Sequence, residues 1–446
     1  MRFIILIILM STMNILSLDK SEYFSNGKNF ETKHFILPTE NNDSIRVLIF
    51  FKASNSVQNF KKVNGSNDSK FESELTIELL VKDENKIIRK RKQLKDKNRV
   101  DTYSKTILKD QYYSNYFDIV LLNRKHDFEI SFFNDINVDP LTSKFSQLDV
   151  DINNGIIDNP LFVYNYTNPK YNNIDIFINE SGFTFGPYSS RLLFPSINFK
   201  NEALSYTVEM IESKSPKKVK VKSDLFTWKE QLSFEGSINI INYRDISFTS
   251  NKKDVKLSIN RGSSPTNQFL EILMPEDRIV PGTYLIKIFS DGKEIIRHIF
   301  MVEWQNKPIS LENIDFAVEK MFYILDDKQY DNLNSSKNKE KSRRLLEYWN
   351  AKDPTPTTPY NESMAQYFSR VDFSYFNFST LAQKDGAATD RGKIFILKGG
   401  PDKIVNLTEG SQRYENWYYN KLNEVYSFKL VSSGIFKLFE IKAIEK

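Results

Sequence analysis

From Lys33 to about Asp135 the apolar and polar positions alternate with a period of two, most clearly where Leu75, Ile77, Leu79 and Val81 are set against Thr76, Glu78 and Leu80. Successive strand side chains point to opposite faces, so this spacing predicts half-buried antiparallel strands. Arg46-Val47-Leu48-Ile49-Phe50-Phe51 is a longer apolar run, as suits an interior strand. Asp83-Glu84-Asn85-Lys86 supplies turn residues, and residues 117–122 with 128–133 read as a closing hairpin. A first β-sandwich is expected over residues 28–140.

A polar connection at 134–159 precedes a second set of short strands at 174–178, 204–210, 219–221, 237–241, 254–259 and 269–274. The sharpest local signal is the hairpin that starts at Pro281-Gly282 and turns at Asp291-Gly292, where a type I′ turn needs positive φ at both central residues. Its return strand is 295–304. A last hairpin with a Pro-Gly entry and an inward tyrosine, Tyr284, is common in immunoglobulin-like sandwiches, so residues 147–306 are expected to form one.

At Pro308 the period changes from two to 3.6. Ser310 can cap a helix whose stripe is Leu311, Ile314, Val318, Met321 and Leu325. A second helix carries Leu345, Leu346 and Trp349 and stops at Asp353-Pro354, because the residue before proline is pushed out of the helical region. The Pro354, Pro356 and Pro359 span is stiff and extended. A third helix starts at Asn361 and turns Met364, Tyr367, Phe368, Val371, Tyr375 and Phe378 inward. Lys393-Ile394-Phe395-Ile396-Leu397-Lys398 is apolar on both faces and is expected as a covered strand, with further strands at 416–419, 425–430 and 435–441. The fold class is thus multidomain β plus α+β: two immunoglobulin-like antiparallel β-sandwiches, then residues 308–446 as about three helices packed on a small antiparallel sheet.

Composition changes this picture in three places. Residues 1–18 carry Arg2, a short apolar core and a weakly polar flank, the plan of a secretory signal peptide and too interrupted for a span. The chain is therefore expected to be exported, whether periplasmic, outer-membrane-associated or secreted, with no integral membrane span after cleavage. With no cysteine, a lipidated cysteine, disulfides and thiolate metal sites are all excluded. A net charge of +5 on 446 residues gives no basis for nucleic-acid binding. The dense run Arg89-Lys90-Arg91-Lys92 with Lys95, Lys97 and Arg99 reads as a solvated hairpin edge.

His34, His126 and His298 are far apart in sequence, which argues against histidine-built metal or acid-base sites, and no cofactor is expected. Asp149, Asp151, Asn153 and Asn154 are too loosely ordered for a calcium loop. Asp353, Glu362, Asp385, Asp390 and Asp402 gather in one region. Two converging across a cleft would suit glycoside hydrolysis. Capping, turn-shaping and ion pairing with Arg391 are the competing uses. Gly399-Gly400-Pro401 reads as a turn rather than a phosphate cradle. Trp417, Tyr418 and Tyr419 alternate on a strand, so one face joins the core.

These residues resemble the C-terminal region of the GWxTD-domain proteins, exported bacterial proteins with β-rich modules ahead of the domain. The resemblance spans about 305–430. It rests on Trp349, Asp353, Pro354, Pro356, Asn361, Glu362, Arg370, Gly386, Thr389, Asp390, Arg391, Gly392, Gly400, Pro401, Asp402, Trp417 and Tyr419. Two positions depart from the pattern: Ala387 stands where the family's name places tryptophan, and Lys352 where arginine is favoured. The missing ring is either a lost contact or a core gap filled by Phe376 or Phe378. The resemblance implies no established activity. The leading expectation is an exported, non-enzymatic interaction or assembly protein whose partner is another envelope protein or cell-surface component. The alternative is a polysaccharide- or peptidoglycan-related binder or hydrolase using the C-terminal carboxylates and aromatics.

Overall fold

The computed structural model describes residues 29–39, 43–63, 70–108, 111–134, 139–147, 155–165, 173–179, 182–197, 199, 203–211, 232–262, 267–305, 307–431 and 434–444. The leader expected at 1–18, the strand expected at 219–221 and the Asp149 to Asn154 run lie outside them.

The first strands are β1 (Phe30–Pro38), β2 (Ser44–Ser54), β3 (Lys61–Lys62), β4 (Phe71–Lys82), β5 (Ile88–Val100), β6 (Tyr112–Leu122), β7 (His126–Phe133) and β8 (Leu141–Gln147). They form two antiparallel sheets, β1-β2-β6 and β3-β4-β7-β8, with β5 paired to β4. The alternation on β4 works as expected: Leu75, Ile77, Leu79 and Val81 share one core with Val47, Ile49 and Phe51 of β2. Each such side chain contributes about 1.5–3 kcal/mol relative to exposure. The basic run lies on β5, where Arg91 pairs with Glu78 and both Lys97 and Arg99 pair with Glu72 across the ladder. It is a solvated outer strand, and its charges blunt that edge.

Next come β9 (Leu161–Tyr164), β10 (Ile174–Ile176), β11 (Gly182–Thr184), β12 (Ser190–Ile197), β13 (Leu204–Ile211), β14 (Ser233–Ser237), β15 (Asn239–Ser250), β16 (Val255–Arg261), β17 (Asn267–Met274), β18 (Gly282–Ser290) and β19 (Lys293–Glu303). Six of them close on themselves in the order β10-β16-β15-β17-β12-β9, and the rest form the sheet β11-β19-β18-β13-β14. That closure is absent from a period-two reading, because it depends on the short β9 and β10 bridging strands distant in sequence. The hairpin between β18 and β19 turns as expected, with Asp291 at φ 48° and Gly292 at φ 79°. Tyr284 is inward, and its hydroxyl donates to the Val280 carbonyl at 2.8 Å.

The sheets stack. Phe35 and Leu37 of β1 and Leu48 and Phe50 of β2 pack into the barrel core with Phe248, Leu257 and Phe269. The other side of the barrel, through Phe162, Leu192 and Leu270, shares a core with Tyr206, Ile286 and Phe300 of the five-stranded sheet. The β1-β2-β6 sheet is therefore buried on both faces, which is why β2 reads as a continuous apolar run.

Past Pro308 a 3-10 turn at Ile309–Glu312 leads into α1 (Ile314–Lys320), α2 (Asp327–Asn334), α3 (Asn338–Asn350), α4 (Glu362–Asn377) and α5 (Asp390–Lys398). These are five helices where about three were expected. The α1 cap is Asn313, whose side chain accepts from the Phe316 amide at 3.1 Å, not Ser310. Residues 393–398 are helical and not a strand. The run is apolar all round because α5 lies between two cores: Ile396 joins Val318, Phe368 and Ala387, while Ile394 and Phe395 join Trp417 and Phe428. A four-stranded antiparallel sheet completes the chain, β20 (Lys403–Glu409), β21 (Gln412–Tyr419), β22 (Glu424–Leu430) and β23 (Phe436–Ala443), in sequence order. Among the described residues, no helix is long and apolar enough to cross a membrane.

Candidate interaction site

The signature residues occupy three adjoining joints of the C-terminal region, and in each the polar groups are turned inward. At the first joint α3 ends and α4 begins. Trp349 is buried against Tyr367 and Phe368, with ring centroids 5.2 and 5.7 Å away. The Asn361 side chain accepts from the Met364 amide at 2.8 Å, capping α4, and donates to the Trp349 carbonyl at 2.7 Å. One side chain thereby fixes both helix ends. Between them Asp353 accepts from the Thr355 amide at 2.9 Å, and the Thr355 hydroxyl donates to the Glu362 carboxylate at 2.8 Å. Pro354 and Pro356 limit how far this loop can open.

The second joint is the turn into α5. An added Cβ at Gly386 would stand 2.3 Å from the Ser374 carbonyl oxygen, and one at Gly392 would stand 2.1 Å from the Gly386 carbonyl oxygen. Only glycine permits such an approach of backbone to backbone. Thr389 caps α5, accepting from the Gly392 amide at 3.0 Å while its hydroxyl donates to the Gly386 carbonyl at 2.7 Å. Ala387 is fully buried, and its carbonyl accepts from the Tyr323 hydroxyl at 2.9 Å. Phe376 packs against the cluster that contains Ala387, whereas Phe378 belongs to the neighbouring one. Lys352, the other departure from the family pattern, is exposed.

The third joint ties α5 to the sheet. The Asp390 carboxylate accepts from the Leu438 amide of β23 at 2.7 Å. The Arg391 guanidinium lies over the rings of Phe378 and Phe436 and pairs with Glu415 at 3.4 Å. Glu415 in turn accepts from the Trp417 indole at 2.7 Å. Gly399, at φ 81°, ends α5 beside Arg370, whose pKa burial lowers; Gly400 is exposed and Pro401 buried. The Gly399 carbonyl accepts from the buried Tyr419 hydroxyl at 2.8 Å, and Asp402 accepts from the Asn420 amide at 2.7 Å. Asp385 accepts from the Ala387 amide at 2.9 Å and meets Lys320. Burial opposes the charge on Lys320, but the Asp385 and Glu319 carboxylates outweigh it and raise its pKa.

All five carboxylates of the gathered cluster are thus engaged with groups of the protein itself. The three histidines are dispersed: His34 stacks on Phe145, His126 meets the Leu122 carbonyl, and His298 meets Asp158 at 2.8 Å.

Two features escape sequence reasoning. Asp372, on the inward face of α4, accepts from the amides of Ile309 at 2.6 Å and Ser310 at 3.1 Å. Burial raises its pKa to about 7, against the pull of those amides. Its place on the stripe of Phe368, Val371 and Tyr375 is the one signal that could have marked it. The second is a cleft of about 390 Å³ where β2, β6, the barrel rim, the end of β19 and α4 converge. Its walls come from segments hundreds of residues apart, so no local motif announces it.

Residues 282–435 match the family model described as the GWxTD domain, a span that takes in the β18–β19 hairpin as well as the helices and most of the last sheet. A comparison with curated proteins found no match. With the Gly386, Thr389, Asp390 and Gly392 turn inside it, this part of the molecule is a GWxTD domain.

Proposed function

We propose that this is an exported, non-enzymatic interaction or assembly protein of the bacterial cell envelope. In this reading two immunoglobulin-like sandwiches present the GWxTD domain to another envelope component. The observation that carries it is the inward engagement of the signature: Asp353, Glu362, Asp390 and Asp402 hold backbone amides or a neighbouring hydroxyl instead of facing a cleft. A carboxylate so engaged is a fastening, and the work falls to the surface that it fastens. The outer face of the last sheet supports this, because Leu407 and Phe439 are exposed there on either side of Tyr414. Apolar side chains gathered on one exposed face mark contact surfaces.

The test is made in the native host with a tagged full-length chain. Export predicts that the mature chain lacks the first residues, to about position 18, and fractionates with the envelope. A photo-crosslinking residue at Phe439 should form a discrete adduct with an envelope component, and one at exposed Glu84 should not. A full-length chain confined to the cytoplasm, or equal labelling from both positions, refutes the reading.

A further inference from the structure

The cleft of about 390 Å³ has the size and make-up of a small-molecule site, for which ~300–1,000 Å³ is usual. Two aromatic trios line it. Tyr164, Phe177 and Tyr188 contact one another with centroids 4.3, 5.0 and 5.4 Å apart. Phe185, Trp304 and Tyr360 do so at 5.5, 5.2 and 5.8 Å. Trp304 also packs against the helical core of the GWxTD domain, so the second trio joins the β-modules to the helices.

The polar groups fall into two sets. On one side Gln305 accepts from Lys52 at 3.1 Å and from Thr184 at 3.0 Å, and donates to buried Glu31 at 3.1 Å. Burial lowers the Lys52 pKa, and Glu31 partly restores it. On the other side Asp254 stands close enough to act on the hydroxyls of both Tyr164 and Tyr188, and Tyr188 acts on Tyr360. Among the described residues none of these three phenols has a hydrogen-bond partner, although desolvation acts on each. None of these hydroxyls is sealed from solvent, so each is open to water or to a ligand that fills the cleft.

The geometry points to a binding site for a neutral saccharide in this cleft, distinct from the GWxTD signature and from the outer face of the last sheet. Charge argues for neutrality: Lys52 is matched by Glu31, and Lys253 by the adjoining Asp254, leaving no surplus of either sign for a phosphate or a cation. The rings argue for a sugar. Their faces carry negative quadrupole density, which suits the C–H faces of a pyranose. Its hydroxyls both donate and accept, as suits the phenols and Asp254.

The test is saturation-transfer NMR and calorimetry on the full chain with glucose, N-acetylglucosamine, cellobiose and N,N′-diacetylchitobiose. Inorganic phosphate and trialanine serve as the charged and peptide probes. At least one sugar should receive saturation at its ring C–H protons at ~10 mM or below. Its affinity should fall about tenfold in Tyr188→Phe, which keeps the ring and removes the hydroxyl, and likewise in Asp254→Asn. Near-UV circular dichroism checks the fold, and whichever variant retains the wild-type spectrum decides. No transfer to any sugar, undiminished binding in a folded variant, or preferential binding of phosphate or trialanine each overturns the proposal.

Discussion

Asp372→Asn isolates a buried carboxyl whose charge the fold disfavours. The folded pKa of about 7 lies above the ordinary carboxyl value of 3.8, because burial outweighs two amide hydrogen bonds. The folded state therefore binds this proton more tightly than the unfolded state does. Stability from this group is complete on the acid side, falls as pH rises from about 4 through about 7, and is level above that. The full difference is about 4 kcal/mol at 1.36 kcal/mol per pKa unit. Between about pH 5.5 and about pH 7.5 the wild type should lose about 2 kcal/mol from this source. Asparagine keeps the shape and an accepting oxygen but cannot ionise. Denaturant melts followed by tryptophan fluorescence report on this region, since Trp349 and Trp417 are buried in its two cores. The difference between wild type and Asp372→Asn should shift in favour of the variant by about 2 kcal/mol across that interval. Parallel pH profiles for the two proteins would refute the argument, because every other titrating group is common to both.

Three further outcomes are expected. Gly392→Ala places a methyl 2.1 Å from the Gly386 carbonyl oxygen and should lower stability by about 1–3 kcal/mol, read as a reduced thermal midpoint. Ala387→Trp restores the family's ring at a fully buried position and should also destabilise, by about 1–3 kcal/mol; a neutral or raised midpoint would show that a cavity had been waiting for it. Asn361→Ala removes the α4 cap and the tie to Trp349 and should cost about 1–2 kcal/mol, with Asn361→Asp recovering part because it still accepts from the Met364 amide.

What could be read from sequence was what is decided locally. The β4 alternation, the Asp291-Gly292 turn and the Asn361 cap each depend on a few adjacent residues, and each stands in the structure as expected. Residues 393–398 mislead because the four apolar residues Ile394 to Leu397 in a row fit a buried strand and a doubly covered helix equally well. Thr389-Asp390, a capping residue followed by a first-turn acid, was the available hint of a helix start. Barrel closure and the two-sided burial of β1-β2-β6 depend on pairings between distant segments. So does the cleft, where Lys52, Asp254 and Tyr360 meet only after everything else is assembled.

The β1-β2-β6 sheet has a consequence for biogenesis. A chain synthesised from its N-terminus delivers this sheet well before the barrel strands that cover its second side. Until then Phe35, Leu37, Leu48 and Phe50 stand bare, a surface that invites aggregation. The nascent protein thus has an interval of exposure set by how quickly the residues from Leu122 to Phe269 arrive, since Phe269 is the last of the barrel residues that seal that face. A holding chaperone would be needed during that interval rather than after it.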